Sequence, residues 1–359
     1  MHMADALLSP AVGGVMWAVS AGTIAHCSKK VSEELDERKI PLMGVLGAFI
    51  FAAQMINFTI PATGSSGHLG GGLLLAVLLG PHAAFLVIAS VLIIQALFFA
   101  DGGLLALGCN IFNLGFFPAF IAYPLLYRRI AGDGADRRRM TAAALCAAVA
   151  GLLLGACGVL LETICSGVSA LPFVPFMALM LPIHLAIGLV EGMVTAAVVS
   201  LVATARPELL RANLSPTSDT RRYLRTVTFT FLAFALLSGG FFSLWASERP
   251  DGLEWSIARI TGGEGLKKGG EGIQGAAAAL QEKLAFLPEY TFRKPAASGG
   301  KSLHVSGAGC NGAGQGEGKG GRNSAATGVA GIVGGAITMA VVFLAGILLK
   351  KRTSGQGPL

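Results

Sequence analysis

The chain has 359 residues, 53% of them hydrophobic and only 13% charged, with a mean hydropathy of +0.67. Soluble domains carry about 25% charged residues, so an ordinary soluble enzyme is excluded and an all-α polytopic membrane protein is expected. The net charge of +7 does not point to nucleic acid, because the basic residues sit in short loops beside apolar runs, as membrane orientation requires.

The opening MHMADALLSP has no basic n-region, and no small-residue cleavage site follows the first apolar run. Met1 is therefore expected to remain at the N-terminus. Apolar runs then predict nine crossings, over 12–27, 41–60, two short spans within 69–100, 104–127, 140–165, 173–203, 226–245 and 325–349. The split within 69–100 falls at Gly80-Pro81-His82. Basic residues gather at Lys29/Lys30/Arg38/Lys39, at Arg128/Arg129/Arg137/Arg138/Arg139, at Arg206/Arg211/Arg221/Arg222/Arg225 and at Lys350/Lys351/Arg352. The positive-inside rule places all four groups in the cytoplasm. Nine crossings satisfy that, provided the brief 69–80 stretch crosses, and they put the N-terminus outside.

The segment 246–324 is then external. From Gly262 onward it is rich in Gly, Ala, Lys and Glu, with one weak helical patch over 276–286. It reads as a linker, peripheral to any site. The six cysteines, Cys27, Cys109, Cys146, Cys157, Cys165 and Cys310, lack CxxC spacing and read as small packing residues.

Two histidines fall on the outer side, His2 before the first span and His68 in the glycine-rich loop 63–72. A free Met1 amine, the His2 backbone nitrogen and the His2 ring can close adjacent five- and six-membered chelate rings. His68 can complete a planar four-nitrogen set of the kind that suits Cu(II) or Ni(II). Spacing alone leaves the bland alternative open, in which His2 is incidental and His68 is a polar loop residue.

Met1-His2 with Leu8-Ser9-Pro10, the segment Ala52-Ala53-Gln54-Met55-Ile56-Asn57-Phe58, Ser66-Gly67-His68-Leu69-Gly70-Gly71, and His184-Leu185-Ala186-Ile187-Gly188 with Glu191-Gly192 together resemble the CbiM/NikM family. These are substrate-capture components of energy-coupling-factor (ECF) nickel and cobalt transporters. The resemblance covers residues 1–203 and implies a seven-helix capture unit holding Ni2+ or Co2+ as cargo, with no resident cofactor. It implies ligation by the Met1 amine, the His2 backbone and ring nitrogens and the His68 ring. Beside that ligand set, Asn57, Ser66 and Gly67 read as supporting residues, Asn57 alternatively as a hydrogen bond between helices. Ala4-Asp5-Ala6 stands where relatives commonly read Pro-Asp-Gly or Met-Glu-Gly, so metal preference does not follow from the opening. Pro250-Asp251-Gly252-Leu253-Glu254-Trp255 resembles the PDGLE motif of the small two-helix partner CbiN or NikN, here fused. The expected organisation is a capture domain at 1–203, a cytoplasmic connector at 204–225 and a PDGLE domain at 226–352 with two spans and a long Gly-rich external loop. The resemblance implies import across the cell membrane, together with a transmembrane coupling subunit and cytoplasmic ATPases. A cobalt cargo would feed cobalamin biosynthesis.

His184 and Glu191 stand two turns apart on one helical face and read as a structural or coupling pair. Glu162 reads as reaching interfacial water, and Asn113 as a bond between helices. Gly151/Gly155, Gly188/Gly192 and Gly331/Gly335 fit small-residue helix contacts. Gly299-Gly300-Lys301-Ser302 lacks the strand, leading glycine and helix of a phosphate-binding loop. Two rival functions are an autonomous secondary carrier or channel and an intramembrane metalloenzyme. Few charges in the spans disfavour the first, and the lack of HExxH disfavours the second.

Overall fold

A computed structural model describes residues 2–34, 40–132, 136–169, 171–205, 218–263, 272–292 and 324–354. Met1, Arg38, Lys39, Arg206, Arg211, Cys310 and the Gly299–Ser302 segment lie outside the described residues. The described chain is helical: α1 (Pro10–Glu34), α2 (Ile40–Gln54), α3 (Gly72–Leu79), α4 (Pro81–Phe99), α5 (Leu107–Ala131), α6 (Arg137–Ser166), α7 (Phe173–Ala205), α8 (Ser218–Gly240), α9 (Gly252–Thr261), α10 (Ile273–Leu284) and α11 (Ser324–Ser354). Short 3-10 turns lie at Asp5–Leu7, Phe242–Trp245 and Pro288–Tyr290. Between α2 and α3, β1 (Phe58–Thr59) pairs antiparallel with β2 (Ser66–Gly67), Phe58 opposite Gly67.

Six described segments are long and apolar enough to cross a membrane: Pro81–Phe99, Leu107–Ala131, Arg137–Ser166, Phe173–Thr204, Arg225–Trp245 and Ala326–Lys350. In hydrocarbon a helix satisfies its own backbone polar groups, which is why apolar runs take this form. The helix α1 has 25 residues but is more polar than these six. The apolar α2 has 15 residues, about 22 Å of helix at 1.5 Å per residue. It ends at Gln54 and not at residue 60, because the chain turns into the β1–β2 hairpin.

The expected span over 69–80 is helical only at Gly72–Leu79, about 12 Å. The physical reason lies in the preceding glycines. Gly70 and Gly71 give their N–H groups to the Glu191 side chain, at 2.7 and 3.2 Å, and Gly71 adopts φ +78°. Residues 68–70 instead run along α7 without regular secondary structure. A Cβ at Gly67 would lie 2.5 Å from Ile187, and Gly70 meets Glu191 one helical turn further on. The break between α3 and α4 falls where Gly80-Pro81 predicts it, with Gly80 at φ +86° and Pro81 at the first helical position. In α5 the stretch Phe112–Tyr127 takes the wider π-helical form around Pro118 and Pro124, prolines that cannot donate into the ladder.

Close approaches between helices occur at glycines. A Cβ on Gly188 would lie 2.8 Å from the Val149 Cα, and one on Gly192 2.7 Å from the Leu145 Cα, so α6 and α7 touch backbone to backbone. Gly331 of α11 meets Gly239 of α8 in the same way. These last two helices cover α2, whose Gly47 lies between Thr338 of α11 and Val87 of α4. Thus α2 is buried along nearly its whole length. Glu162, expected at interfacial water, is buried and accepts from Asn113 Nδ2 at 2.7 Å.

Gly192→Val would force α6 and α7 apart at an overpacking cost of about 1–3 kcal/mol. The expected result is a lower apparent Tm in detergent, read by thermal unfolding. Gly14→Ala, where an added Cβ meets nothing within 4 Å, should leave Tm unchanged; equal Tm values would contradict this packing.

Candidate metal site

The N-terminal segment is tied down before α1 begins. Met3 is fully buried, and its backbone is gripped by one side chain: Met3 N–H donates to Asn110 Oδ1 at 2.8 Å, and Asn110 Nδ2 donates to the Met3 carbonyl at 3.3 Å. Gly103 N–H donates to the same carbonyl at 2.9 Å. Two residues on, Asp5 Oδ1 accepts from the Ala106 N–H at 3.0 Å. His2 is thereby held against the loop joining α4 to α5.

His68 comes from the opposite side. The hairpin and the Glu191 bonds carry the 66–71 segment down along α7, so that Ser65, Ser66 and His68 are buried. The two imidazoles, 66 positions apart in sequence, meet face to face with ring centroids 5.1 Å apart and planes 20° apart. Metal–imidazole bonds are about 2.0–2.1 Å long. Two rings on neighbouring positions of one ion would then have centroids on the order of 4.5–5 Å apart. Among the described residues no group of three His, Cys, Asp or Glu side chains forms a metal cluster.

Polar groups surround His2. Its Nε2 lies 3.2 Å from Gln95 Oε1, and its Nδ1 lies 3.4 Å from Asp101 Oδ1. Gln95 Nε2 donates to Gln54 Oε1 at 2.8 Å, and Gln54 Nε2 donates to the Gly70 carbonyl at 2.8 Å. Burial pushes the His2 pKa below the ordinary histidine value, and the Asp101 carboxylate only partly opposes it. The ring is thus the neutral form that binds cations. Burial works against ionised Asp101, but positive charge at the His2 site, when present, and the Tyr290 hydroxyl outweigh it and hold its pKa below the usual carboxylate range. A negative charge therefore sits beside the His2 ring, where a cation would be stabilised.

The segment 272–292 corrects the expectation of a peripheral linker. Its helix α10 places Gln274 and Gln281 two turns apart on one face. Gln274 Nε2 donates to the carbonyls of Asp5 and Leu8, at 3.2 and 2.6 Å. Gln281 Nε2 donates to those of Ala96 and Gly102, at 2.9 and 2.6 Å. Tyr290 OH then donates to Asp101 Oδ2 at 2.6 Å, while its ring stacks on Phe99 at 5.1 Å. One strap thus joins the N-terminal segment, the α4–α5 loop and the carboxylate beside His2.

The other residues singled out in the sequence are placed as follows. Ser66 N–H donates to the Pro250 carbonyl at 2.8 Å, and Ser66 Oγ donates to the Arg249 carbonyl at 2.7 Å. Asn57 acts through its carbonyl, which accepts from the Ser247 N–H at 2.7 Å. Asp251 caps α9 by accepting from Glu254 N–H at 2.8 Å. Gly252 lies against α7, where a Cβ would come within 2.5 Å of Ile183. Leu253 is buried, and Trp255 lies under the Arg259 guanidinium at 5.4 Å. The PDGLEW segment therefore braces the hairpin that carries His68. His184 Nδ1 bonds to the Met180 carbonyl of its own helix at 2.8 Å, whereas Glu191 holds the His68 loop. Sequence reasoning missed Gln95, Asp101, Tyr290 and the role of Asn110. A single Gln within the apolar run of α4 was the available signal, since intramembrane polar groups are functional candidates.

Residues 2–209 match the family model of CbiM, the cobalt uptake substrate-specific transmembrane region, and residues 225–351 match the PDGLE domain. The chain is 38% identical over 223 residues to a putative metal transport protein of Haloquadratum walsbyi, covering 60% of this chain and 98% of that one. It is 37% identical over 220 residues to a putative fused nickel transport protein, NikMN, of Archaeoglobus fulgidus, covering 60% and 70%. A crystal structure of a transition metal transporter is similar at 28% identity and a TM-score of 0.51, covering 63% of this chain and 99% of that one.

Removing the Glu191 carboxyl would leave two buried glycine N–H groups unpaired and free the His68 loop. Glu191→Ala should weaken nickel or cobalt binding by about 10–100-fold, the usual cost of losing a group that orients a ligand. Glu191→Gln, which keeps one acceptor, should fall between. Calorimetry reads both, and unchanged affinity in the alanine variant would contradict the assignment.

Proposed function

The chain belongs to the CbiM family, carried as a fusion to a PDGLE domain, and on that premise we propose that it captures Ni2+ or Co2+ outside the cell at a site built from Met1, His2 and His68. It is an integral membrane transport protein and not an enzyme, a nickel/cobalt uptake component of the ECF type. The observation that carries the reading is the stacked pair His2 and His68. In this proposal the free amine of Met1, the His2 backbone nitrogen and the His2 ring wrap one face of the ion, and the His68 ring completes a nitrogen set suited to tetragonal geometry. Binding displaces protons from amine and amide nitrogens, so acid releases the ion.

The proposed topology has nine crossings with the N-terminus outside, seven in the capture unit (1–203) and two in the PDGLE unit (226–352). The short α3 fits because the non-helical residues before it also lie along α7, beside Ile187 and Glu191. A transmembrane coupling subunit and cytoplasmic ATPases would supply the energy that reorients the unit and releases the ion inside. A cobalt cargo would feed cobalamin biosynthesis.

Two experiments test this. A residue added before Met1 converts its amine into an amide and shifts the chelate frame while both imidazoles survive. The extended protein should bind nickel and cobalt about as poorly as His2→Ala, whereas a tag after Leu359 should be harmless; equal affinity of native and extended chains would rule out an N-terminal chelate. For topology, single cysteines replacing Glu248 and Lys29 in a cysteine-free background should react with impermeant maleimide from outside and inside respectively. Labelling of position 29 in intact cells would overturn the nine-span arrangement.

A further inference from the structure

We infer that Gln54 and Gln95 form an amide relay, set by the Gly70 carbonyl, that locks His2 in its Nε2–H tautomer and so dedicates Nδ1 to the ion. The inference rests on the metal-capture reading for what Nδ1 does, but the relay itself stands on hydrogen-bond geometry alone. The Gly70 carbonyl can only accept, so the Gln54 atom 2.8 Å from it must be the amide nitrogen. Gln54 therefore turns its oxygen toward Gln95. An oxygen can only accept there too, so the Gln95 atom 2.8 Å away is its amide nitrogen. That leaves the Gln95 oxygen facing His2 Nε2 at 3.2 Å, in a hydrogen-bond contact, whereas Asp101 Oδ1 stands 3.4 Å from Nδ1, beyond the usual N–H···O range; the closer contact is attractive only if Nε2 carries the proton. In a neutral ring the electron pair is then on Nδ1.

The alternative tautomer carries a specific penalty. It would set the Gln95 oxygen against the Nε2 electron pair. Flipping both amides to avoid this would only bring the Gln54 oxygen against the Gly70 carbonyl. Gln54 is 4% exposed and Gln95 is 0% exposed, so water offers little relief for the mismatch. The choice matters because Nδ1 is the ring atom that closes a six-membered chelate with the backbone nitrogen of the same residue; Nε2 points away from it. The neighbouring carbonyl acts on the second histidine. Leu69 O lies 3.1 Å from His68 Nδ1 and so assigns a proton to that atom, leaving the electron pair on His68 Nε2. Two consecutive carbonyls, of Leu69 and Gly70, thus set the tautomers of both imidazoles, one directly and one through two glutamines. Gln54 and Gln95 are positioning residues.

The test is 15N NMR of the metal-free, histidine-labelled full chain in lipid nanodiscs, paired with nickel calorimetry. In the native protein His2 should show a protonated-type Nε2 and an unprotonated-type Nδ1; this measurement needs no variant. Gln95→Met should move both His2 signals toward the average of two tautomers and weaken nickel binding about 10–100-fold. Gln54→Met should shift the same signals although it does not touch His2. Gln95→Glu, which still accepts from Nε2–H, should retain the native tautomer. A native His2 protonated at Nδ1, or a folded Gln95→Met protein with unchanged His2 signals, would overturn the relay. If the native protein shows the relay tautomer yet binds no nickel, the capture reading fails and the relay stands. If His2→Ala abolishes nickel binding while Gln95→Met changes neither tautomer nor affinity, the relay fails and the capture reading stands.

Discussion

A carboxyl group deep among apolar helices is costly unless it is hydrogen-bonded, and Glu191 meets that requirement by accepting from two consecutive glycine N–H groups. Much of the site follows from this interaction. The two donors are withdrawn from helix formation, so α3 starts only at Gly72 and the chain before it lies along α7 without helical structure. The same stretch carries His68 to His2 and turns the Gly70 carbonyl toward Gln54. The glycines are required there: a side chain at position 71 would collide with Ile50, within 2.7 Å, and one at position 72 with the Leu114 carbonyl, within 2.5 Å.

His2 depends on a different set of contacts, centred on Asn110 and Asp5, and the strap joins the two sets. Five hydrogen bonds from Gln274, Gln281 and Tyr290 reach the N-terminal segment, the end of α4 and the α4–α5 loop. The PDGLEW segment adds a brace under the hairpin, through Ser66 and the carbonyls of Arg249 and Pro250. The fused domain and the capture unit are thus physically joined at the site.

Much of the fold was legible in the sequence because hydropathy and helix punctuation are local signals. The apolar runs and the Gly80-Pro81 break each correspond to a feature of the structure. The non-helical course of residues 68–71 was not legible, because it depends on Glu191, over a hundred residues away. His2 and His68 stood out as candidates by residue type and flanking glycines. Gln95, Asp101 and Tyr290 did not, since each acts through a partner distant in sequence. The strap was misread for a related reason: a Gly- and Ala-rich composition concealed two glutamines at helical spacing whose partners are backbone carbonyls elsewhere.

The central claim is that nitrogen donors from the N-terminus and two imidazoles hold the cargo ion. X-ray absorption at the nickel K-edge of the loaded native protein tests it most directly. The account predicts a low-coordinate, nitrogen-only shell with the multiple-scattering signature of two imidazoles, reduced to one in a loaded His68→Ala protein. An oxygen-rich six-coordinate shell in the native protein, or an imidazole signature unchanged by His68→Ala, would contradict it.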